Sequence, residues 1–484
     1  MKKARIVPAI FALILSLALV LSGCSSAGEE PQGVYVVSIR QTDTSEEENE
    51  FTVTYSDGTT STFTVKNGQD GQDGKDAAVS AADLYEEYKN IYGEDLTYDE
   101  FLQKYLQASS DNSSAVAGAL RSSVRVYSEF RTTEYSSGWG PVQANDVTSY
   151  STGGGVVCEV GEEYTYIITN YHVVYSTDAN EDNGSDFGRR FYVYPYGSVD
   201  VPAGTGQKDE DGYEILEYGE SAIECTYVGG AASLDIAVLR AETADVLAVN
   251  EDICAVTYAD GYSVGETAIA IGNPEGEGIS VTEGIVSVDS EYISLQTDGT
   301  VRRHRSMRID SALYHGNSGG GLFNTSGELI GITNAGDEED QNINYAIPVS
   351  VARGAAENII AYDKDGDDST AGVYRPTLGV TVNIESSKYV YDEESGTGSI
   401  LETVVVSEIA ESSIGSQMGL AAGDVLVSFV VNGTAYPVSR SFEVNDLLLT
   451  VRAGDAVSFT VERDGETVEC TAYTLTASDF SAVE

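Results

Sequence analysis

Few side chains in this chain can exchange protons near neutral pH, because it contains only three histidines, His172, His304 and His315. A candidate nucleophile, Ser318, lies in the glycine-rich run of residues 315–321. A serine hydroxyl becomes an effective nucleophile when a base accepts its proton and a carboxylate orients that base. Glycines beside the serine let backbone N–H groups converge on one point, where they can stabilise an oxyanion. The run therefore predicts acyl-transfer chemistry on Ser318.

The order of the candidate residues along the chain separates two kinds of hydrolase. The run around Ser318 also fits the Gly-x-Ser-x-Gly pattern of α/β-hydrolases, whose triads follow the order serine, acid, histidine. No histidine follows Ser318, so that interpretation fails. The order that remains is His172, Asp235 and Ser318, with His172 after an apolar strand pattern and Asp235 before one. A lone histidine or aspartate in such a place is more often structural, but the three together favour a catalytic triad.

The other two histidines are weaker candidates for a catalytic role than His172. His304 lies between Arg303 and Arg305, and we expect its ring to be solvated. His315 lies three residues before Ser318 and is expected to line the site. As the base, His315 is a weaker candidate than His172.

The segment that must position this site is rich in β-strand signals. From about 119 to 360, short Val, Ile, Thr and Tyr runs alternate with Gly, Asn and Asp, the pattern of an all-β barrel or sandwich. A smaller β-rich unit is predicted over 375–480, with one helix near 412–419. Ahead of both, the patterns predict a small β unit over 33–66 and two short helices over 81–107.

The first residues have the layout of an export signal. Three cations within the first five residues precede an apolar run over 6–21, and the run ends in Leu-Ser-Gly-Cys24, which resembles a bacterial lipobox. That resemblance implies that residues 1–23 are a lipoprotein signal peptide and that Cys24 carries a lipid. The body would then be extracytoplasmic and tethered to the cell membrane. An uncleaved signal anchor is the alternative.

Charge and cysteine content exclude several classes of function. With 26 basic and 78 acidic residues the net charge is −52, which opposes binding to nucleic-acid phosphates. The four cysteines beyond Cys24 can pair in three ways or remain thiols, and none forms a Cys-x-x-Cys pair of the kind that binds zinc. No metal or organic cofactor is expected. These four cysteines are Cys158, Cys225, Cys254 and Cys470.

Five ordered blocks of sequence resemble those of HtrA/Deg-type trypsin-like serine proteases. Three carry the predicted triad, one is a glycine-rich block with the strand after it, and one is a substrate-pocket strand. They are residues 169–173, 234–239, 316–320, 270–274 with 281–287, and 344–348. The resemblance covers about residues 115–480. It implies a chymotrypsin-like pair of six-stranded antiparallel β-barrels with the active site between them.

The resemblance also implies roles for the residues of the site. His172 would be the general base, Asp235 its orienting acid and Ser318 the nucleophile. The oxyanion hole would consist of backbone N–H groups of Gly316, Asn317 and Ser318.

The resemblance also implies a substrate preference, and the chain differs from the family's pattern in two places. Trypsin's preference for basic side chains depends on an acid six residues before the nucleophile, where this chain has Ala312. We therefore expect small or medium apolar residues at the cleaved position. The departures are Gly321, where chymotrypsin-like proteases usually have proline, and residues 196–219, which look like an insertion. The expected pocket residues are Ala312, Leu313, Asn344, Tyr345 and Ala346.

The C-terminal unit resembles a PDZ domain, most specifically in the Gly-Leu-Ala-Ala-Gly-Asp string of residues 419–424. PDZ domains bind peptide C-termini by strand addition, while backbone N–H groups of a loop capture the carboxylate. Leu378, Gly379 and Val380 match that loop by position, although an ordinary strand start is the alternative. Residues 385–398 are expected to form a solvated loop.

The predicted organisation is mainly β, a double six-stranded β-barrel protease with a small PDZ domain and a small N-terminal β and helical module. The predicted function is an extracytoplasmic serine endopeptidase that hydrolyses misfolded or exposed exported proteins and binds peptide C-termini, and the resemblance suggests a homotrimer. A peptide-binding chaperone, sensor or surface scaffold with a latent or inactive protease is the alternative. The predicted segments are 1–23 signal peptide, 24–80 anchored linker with β unit and spacer, 81–114 helical segment, 115–362 protease, 363–374 linker and 375–484 PDZ domain.

Overall fold

The computed structural model describes residues 36–44, 48–55, 59–66, 89, 112–135, 144–179, 186–336, 342–364, 372–392 and 397–483. The chain divides into two compact units, Met1–Ser110 and Asp111–Glu484. The predicted signal peptide, Cys24, the glycine-rich spacer and, apart from Lys89, the helices expected over 81–107 lie outside the described residues. Within the described part of the chain, no helix is long and apolar enough to cross a membrane.

The first unit contains an antiparallel sheet in the order β1-β2-β3. Its strands are β1 (Val36–Thr44), β2 (Glu48–Tyr55) and β3 (Thr60–Lys66). The sheet lies in the segment for which alternating residues predicted a small β unit.

The second unit begins with a helix and a six-stranded barrel. The helices in this part are α1 (Ser113–Leu120), α2 (Tyr171–Val174) and α3 (Thr243–Val249). The strands are β4 (Ser123–Tyr135), β5 (Ala144–Val160), β6 (Tyr164–Thr169), β7 (Arg190–Pro195), β8 (Ala203–Lys208), β9 (Glu214–Glu217), β10 (Ile223–Ala231) and β11 (Ile236–Glu242). Six of them close in the order β10-β11-β6-β5-β4-β7, while β8 and β9 pair separately inside the segment expected to be an insertion.

A second barrel follows directly. Its strands are β12 (Thr267–Gly272), β13 (Ser280–Gln296), β14 (Val301–Ile309), β15 (Gly321–Phe323), β16 (Leu329–Gly336) and β17 (Asn344–Pro348). They close in the order β12-β13-β14-β17-β16-β15, with every pair antiparallel. The helix after the barrel is α4 (Val349–Lys364). Its last two residues are the first two of the predicted linker, and Asp363 is held there by Arg240 at 2.5 Å.

Strands β6 and β11 are buried on both faces over most of their length, which explains why their apolar residues Ile167–Ile168 and Ile236–Leu239 do not alternate with polar ones. Ile167 and Leu239 point into the core of the first barrel. Ile168 and Val238 belong to a different core, which also contains residues of β12 and α4. Burying these apolar side chains from both barrels together holds the barrels against each other. His172 follows β6, Asp235 precedes β11 and the turn with Ser318 precedes β15, so all three lie at this contact.

The C-terminal part is a seven-stranded sheet with two short helices and a small two-stranded sheet. Its strands are β18 (Tyr374–Pro376), β19 (Val380–Asp392), β20 (Thr397–Ile409), β21 (Val425–Val431), β22 (Thr434–Pro437), β23 (Ala456–Arg463), β24 (Glu466–Glu469), β25 (Tyr473–Thr474) and β26 (Phe480–Ala482). Its helices are α5 (Ile414–Met418) and α6 (Glu443–Leu447). The helix predicted near 412–419 corresponds to α5, which begins after the capping Ser413 and ends at Gly419, whose φ is +82°.

The described part of 385–398 is mostly solvent-exposed, as expected, but it forms strands and not the expected loop. Most of that segment belongs to the β19–β20 hairpin, in which Tyr389 pairs with Ile400. The tyrosines and β-branched residues of both arms favour strands, and this preference outweighs the Ser, Glu and Asp between them.

The four cysteines beyond Cys24 are free thiols. Burial raises the pKa of the Cys158 thiol to about 12. None of the four is paired with another cysteine in this structure.

Candidate active site

His172 and Asp235 meet where the first barrel presents α2. The Nδ1 atom of His172 lies 2.9 Å from Oδ2 and 3.0 Å from Oδ1 of Asp235, and the His172 backbone N–H donates to Oδ1 at 3.2 Å. Asp235 is fully buried and has a φ of +52°. The side-chain amide of Asn170 donates to the Asp235 carbonyl at 2.8 Å. These contacts fix both the acid and the orientation of the imidazole.

The acid also sets the proton affinity of the histidine. Burial by itself lowers the pKa of His172, but the negative charge of Asp235 and the hydrogen bond between them outweigh burial and leave the pKa above that of an ordinary histidine. The ring with Nδ1 facing the acid has Nε2 as the atom that can accept a proton. The pair therefore has the chemistry of a general base with an orienting carboxylate.

The turn that carries Ser318 is fixed to strand β16 through Thr333. Gly319 donates its N–H to the Thr333 carbonyl at 2.8 Å, and Thr333 donates its own N–H to Gly320 at 2.9 Å. The Thr333 hydroxyl donates to the Asn317 carbonyl at 2.6 Å. These bonds explain how a run of glycines can hold one conformation.

Gly316 must be glycine for two reasons. Its φ of +94° is unfavourable for any residue with a Cβ atom. A Cβ there would also overlap the carbonyl oxygen of Asn273, in the turn before Pro274–Gly276. The N–H groups of Gly316 and Ser318 donate no hydrogen bond to any described residue. Asn317 is different, since its N–H donates to Tyr314 at 3.0 Å and is thus committed to the turn. Of the three expected oxyanion donors, the N–H groups of Gly316 and Ser318 are therefore the two that can donate to a substrate oxygen.

The nucleophile turn packs against the strand and helix that precede and carry His172. Gly154 of β5 donates its N–H to the Ser318 carbonyl at 2.8 Å, and Thr169 donates its hydroxyl to the Gly154 carbonyl at 2.8 Å. A side chain at Gly153 would overlap both the Ser318 carbonyl and Val173. The structure thus brings the three predicted residues to one place.

The hydroxyl of Ser318 is hydrogen-bonded to a backbone carbonyl in this structure. It donates to the Asn334 carbonyl at 3.4 Å, and it makes no hydrogen bond to His172. Such bonds are often long or unmade in the absence of substrate and form in the complex.

The predicted pocket residues lie on two adjoining segments, the loop after β14 and strand β17. The Ala312 carbonyl accepts a hydrogen bond from the Thr282 hydroxyl at 2.8 Å. The side-chain amide of Asn344 donates to the Ser311 carbonyl at 2.9 Å. The loop is therefore tied to strands on both of its sides. The five predicted residues are Ala312, Leu313, Asn344, Tyr345 and Ala346.

The structure differs from the sequence-based expectation for the exposure of His304, and it leaves His315 at the surface. His304 is only 2% exposed, so the expectation that its ring is solvated is wrong. Its arginine neighbours point to other partners, while the ring lies inside the molecule. His315 is exposed, and its carbonyl accepts the Glu275 N–H at 2.6 Å.

Several residues that shape the site were missed by the sequence patterns. Asn170, Thr333 and Asn334 contact the triad or its turn. Asn170 lies within the block of residues 169–173, but the pattern assigns it no role, and the other two lie outside the five blocks. Asn170 and Thr333 act through bonds between segments distant in the chain. Only their burial beside the site distinguishes them, and burial of a polar residue is not evident from its type.

Similarity to known proteins agrees with this geometry. The profile of the trypsin-like peptidase domain family matches residues 153–332, which contain all three predicted triad residues. The Serine protease Do-like HtrA of Lactococcus lactis subsp. cremoris (strain MG1363) is 28% identical over 341 residues, 68% of this chain and 72% of its own length. The Putative serine protease HhoB of Synechocystis sp. is 31% identical over 256 residues, 51% of this chain and 58% of its own.

A third relative, the Probable periplasmic serine endoprotease DegP-like of Pseudomonas fulva (strain 12-X), is 30% identical over 281 residues, 56% of this chain and 52% of its own. The chain is therefore a serine endopeptidase with a mainly β fold, and its residues 153–332 are similar to the trypsin-like peptidase domain. Its listed relatives include proteases named HtrA, HhoB and DegP-like, to which the chain is similar.

Proposed function

We propose that this chain is an extracytoplasmic endopeptidase that cleaves misfolded or exposed exported proteins through an acyl-enzyme on Ser318. The observation that supports it most directly is the buried Asp235 carboxylate, which holds Nδ1 of His172 at 2.9 Å next to the Ser318 turn. Loss of cleavage of an unfolded protein on removal of the Ser318 hydroxyl tests it.

The proposed reaction begins when the Ser318 hydroxyl rotates towards His172. Its proton passes to Nε2 of His172 as Oγ attacks the substrate carbonyl carbon, and Asp235 stabilises the imidazolium that forms. The negative charge on the carbonyl oxygen is stabilised by the N–H groups of Gly316 and Ser318. The tetrahedral intermediate collapses, the C–N bond breaks, and the leaving amine takes the proton from His172. Water then repeats these steps on the ester, which frees the acid product and Ser318.

Activity should rise with pH along an acid limb set by His172. Because Asp235 raises the pKa of His172 above its reference value of 6.5, we expect half-maximal kcat/KM above that pH. A profile of kcat/KM against pH with a peptide substrate checks this, and a midpoint below about pH 6.5 would contradict it.

The folded protein binds the His172 proton more tightly than the unfolded chain does. The resulting stability is fully present below about pH 6.5 and is lost as pH rises through the folded pKa.

The proposed location and substrates depend on the first residues and the relatives. One relative is described as a probable periplasmic endoprotease, and the predicted export signal of this chain supports a place outside the cytoplasm. We assign the predicted lipid anchor to Cys24. Ala312 in the place of an acid supports cleavage after small or medium apolar residues. A homotrimer stays a prediction.

We further propose that residues 375–484 form a PDZ domain that binds peptide C-termini. Strand β19 is an edge strand, since it pairs only with β20 in the sheet order, and an edge strand can accept an added strand. Gly379 has a φ of +68° and precedes that strand. Val382 of β19 and Val444 and Leu447 of α6 are partly buried against one core and keep some apolar surface accessible. An apolar C-terminal side chain would fit between them.

Replacement of Val382 by glutamate should weaken binding of an apolar C-terminal peptide at least about ten-fold, or 1.4 kcal/mol, because it places a charge in the apolar groove. Fluorescence anisotropy with labelled peptides on the full chain measures this. Thr381→Glu is the matched control, since its exposed side chain points to the opposite face of the same strand. Equal binding of a peptide with an amidated C-terminus, or no binding of any peptide, would refute the PDZ proposal and leave the endopeptidase assignment untouched.

A further inference from the structure

The turn Pro274–Gly276 of the second barrel lies beside the glycine-rich turn that carries Ser318. The Glu275 N–H donates to the His315 carbonyl at 2.6 Å. That carbonyl belongs to the same planar peptide group as the N–H of Gly316, and in a trans peptide group the two point in opposite directions. The bond from Glu275 therefore fixes the direction of the Gly316 N–H, one of the two proposed oxyanion donors.

Glu275 makes this bond from an unfavourable backbone conformation. Its φ of +55° lies in the left-handed region, which glutamate rarely adopts. A residue stays in this region when the structure around it holds it there. The Glu275 side chain is exposed, so the backbone of the turn is where such contacts are expected.

The hydroxyl of Tyr127 supplies such a contact from the first barrel. It donates to the Gly276 carbonyl at 3.1 Å, next to Glu275. Tyr127 lies on β4 and is 2% exposed. Its ring packs edge-on against the ring of Tyr194, with the ring centroids 5.3 Å apart. The hydroxyl therefore has a fixed position against the turn.

Tyr194 belongs to the same buried tyrosine cluster, but its hydroxyl has a different partner. It donates to the Tyr218 carbonyl at 2.8 Å, in the segment expected to be an insertion. Tyr127 and Tyr194 are thus both buried, and each donates its hydroxyl to a backbone carbonyl. Of the two, Tyr127 is the one that reaches the turn beside the candidate active site.

We propose that Tyr127 is a positioning residue for the oxyanion hole, because its hydroxyl holds the turn that directs the N–H of Gly316. The proposal rests on the proposed acyl-enzyme chemistry of Ser318. Without the hydroxyl, Glu275 is less firmly held in its left-handed conformation, and its bond to the His315 carbonyl weakens. The Gly316 N–H then stabilises the tetrahedral intermediate less well, while the contacts that bind the rest of the substrate are unchanged.

The test compares full-length wild type with Tyr127→Phe, which lacks only this hydroxyl, on a peptide substrate with valine at the cleaved position. We expect kcat to fall about ten-fold, the change in rate that the loss of one hydrogen bond gives. KM should change by less than about two-fold, because the N–H acts on the tetrahedral intermediate more than on the bound substrate.

A peptide aldehyde of the same sequence provides a second readout of the oxyanion hole. Oγ of Ser318 bonds to the aldehyde carbon, the hydroxyl proton passes to His172, and the former carbonyl oxygen remains as an oxyanion facing the Gly316 N–H. The inhibition constant of the aldehyde should rise about ten-fold in Tyr127→Phe, by the same factor as kcat falls. A loss of packing alone would not link these two quantities.

Tyr194→Phe is the matched control, because it removes a buried hydroxyl of the same kind and keeps the ring. We expect it to lower thermal stability and to leave kcat and the aldehyde inhibition constant unchanged. Rates are measured well below the melting midpoint of each variant, so that differences in stability do not enter. Equal kcat in wild type and Tyr127→Phe, or equal losses of kcat in both tyrosine variants, would overturn the proposal.

Two variants at the exposed Glu275 test the route from Tyr127 to Gly316. Glu275→Val disfavours the left-handed conformation further, since valine is β-branched, and should lower kcat with KM retained. It leaves Tyr127 intact, so it stands in if Tyr127→Phe fails to fold. The double variant Tyr127→Phe/Glu275→Asn should recover most of the lost kcat, because asparagine adopts that conformation readily.

Unchanged kcat in Glu275→Val, or no recovery in the double variant, would contradict the route through Glu275. Absence of both cleavage and aldehyde inhibition in wild type would instead refute the proposed triad, so the two failures are distinguishable.

Discussion

Replacement of Ser318 by alanine should lower the rate of cleavage of unfolded casein by at least about 10⁴-fold, because no other group can form the acyl-enzyme. The variant removes one oxygen atom whose only hydrogen bond in this structure is the weak one to Asn334, at 3.4 Å. Its backbone bonds are unchanged, including that from Gly154 to the Ser318 carbonyl. The fold and thermal stability should therefore match those of wild type. Casein fragments over time and a thermal melt measure both properties.

Ser326→Ala is the matched control for this experiment. Ser326 is an exposed serine in the turn between β15 and β16, and its removal should leave cleavage unchanged within measurement error. Wild-type rates in the Ser318 variant would mean that proteolysis comes from another residue or a contaminant.

Asp235→Asn should lower kcat by about 10⁴-fold with little change in KM. The carboxylate now accepts from both Nδ1 and the backbone N–H of His172. An amide has one accepting oxygen and one donating nitrogen. It can meet Nδ1 with its N–H₂ group, which favours the tautomer with the proton on Nε2. That tautomer cannot take the proton of Ser318, so the base is lost while the geometry is kept.

The same substitution at an exposed aspartate separates this effect from a general loss of charge. Asp245 lies in the first turn of α3 and is exposed, so Asp245→Asn should retain full activity. Steady-state kinetics on a peptide substrate, with circular dichroism as a check of the fold, gives the comparison. Retention of more than one-tenth of kcat in Asp235→Asn would show that the acid does not orient the base as proposed.

The candidate triad could be predicted from the sequence because each member lies in a local pattern. His172 and Asp235 adjoin the apolar segments that become β6 and β11, and Ser318 lies in a glycine-rich turn that must adopt positive φ. These features are fixed by residues within a few positions. The mainly β character was predictable for the same reason, since strand and turn signals are short-range.

The surroundings of the triad could not be predicted in this way, because they arise from contacts between distant segments. Arginines on both sides of His304 favoured a solvated ring, but the barrel buries the ring to 2% exposure. The backbone N–H of Asn317 is committed by the handedness of one turn, which residue types alone do not define. The β19–β20 hairpin depended on cross-strand pairing that outweighs polar composition.

The central claim is that Ser318 is the nucleophile, and mapping a covalent adduct tests it most directly. The full-length protein would be treated with a fluorophosphonate probe, digested, and analysed by tandem mass spectrometry to locate the modified residue. We expect one phosphonylated position, Ser318, with no modification after heat unfolding, when His172 and Asp235 no longer act on it. A folded sample with no adduct, or with the adduct on a different serine, would contradict it.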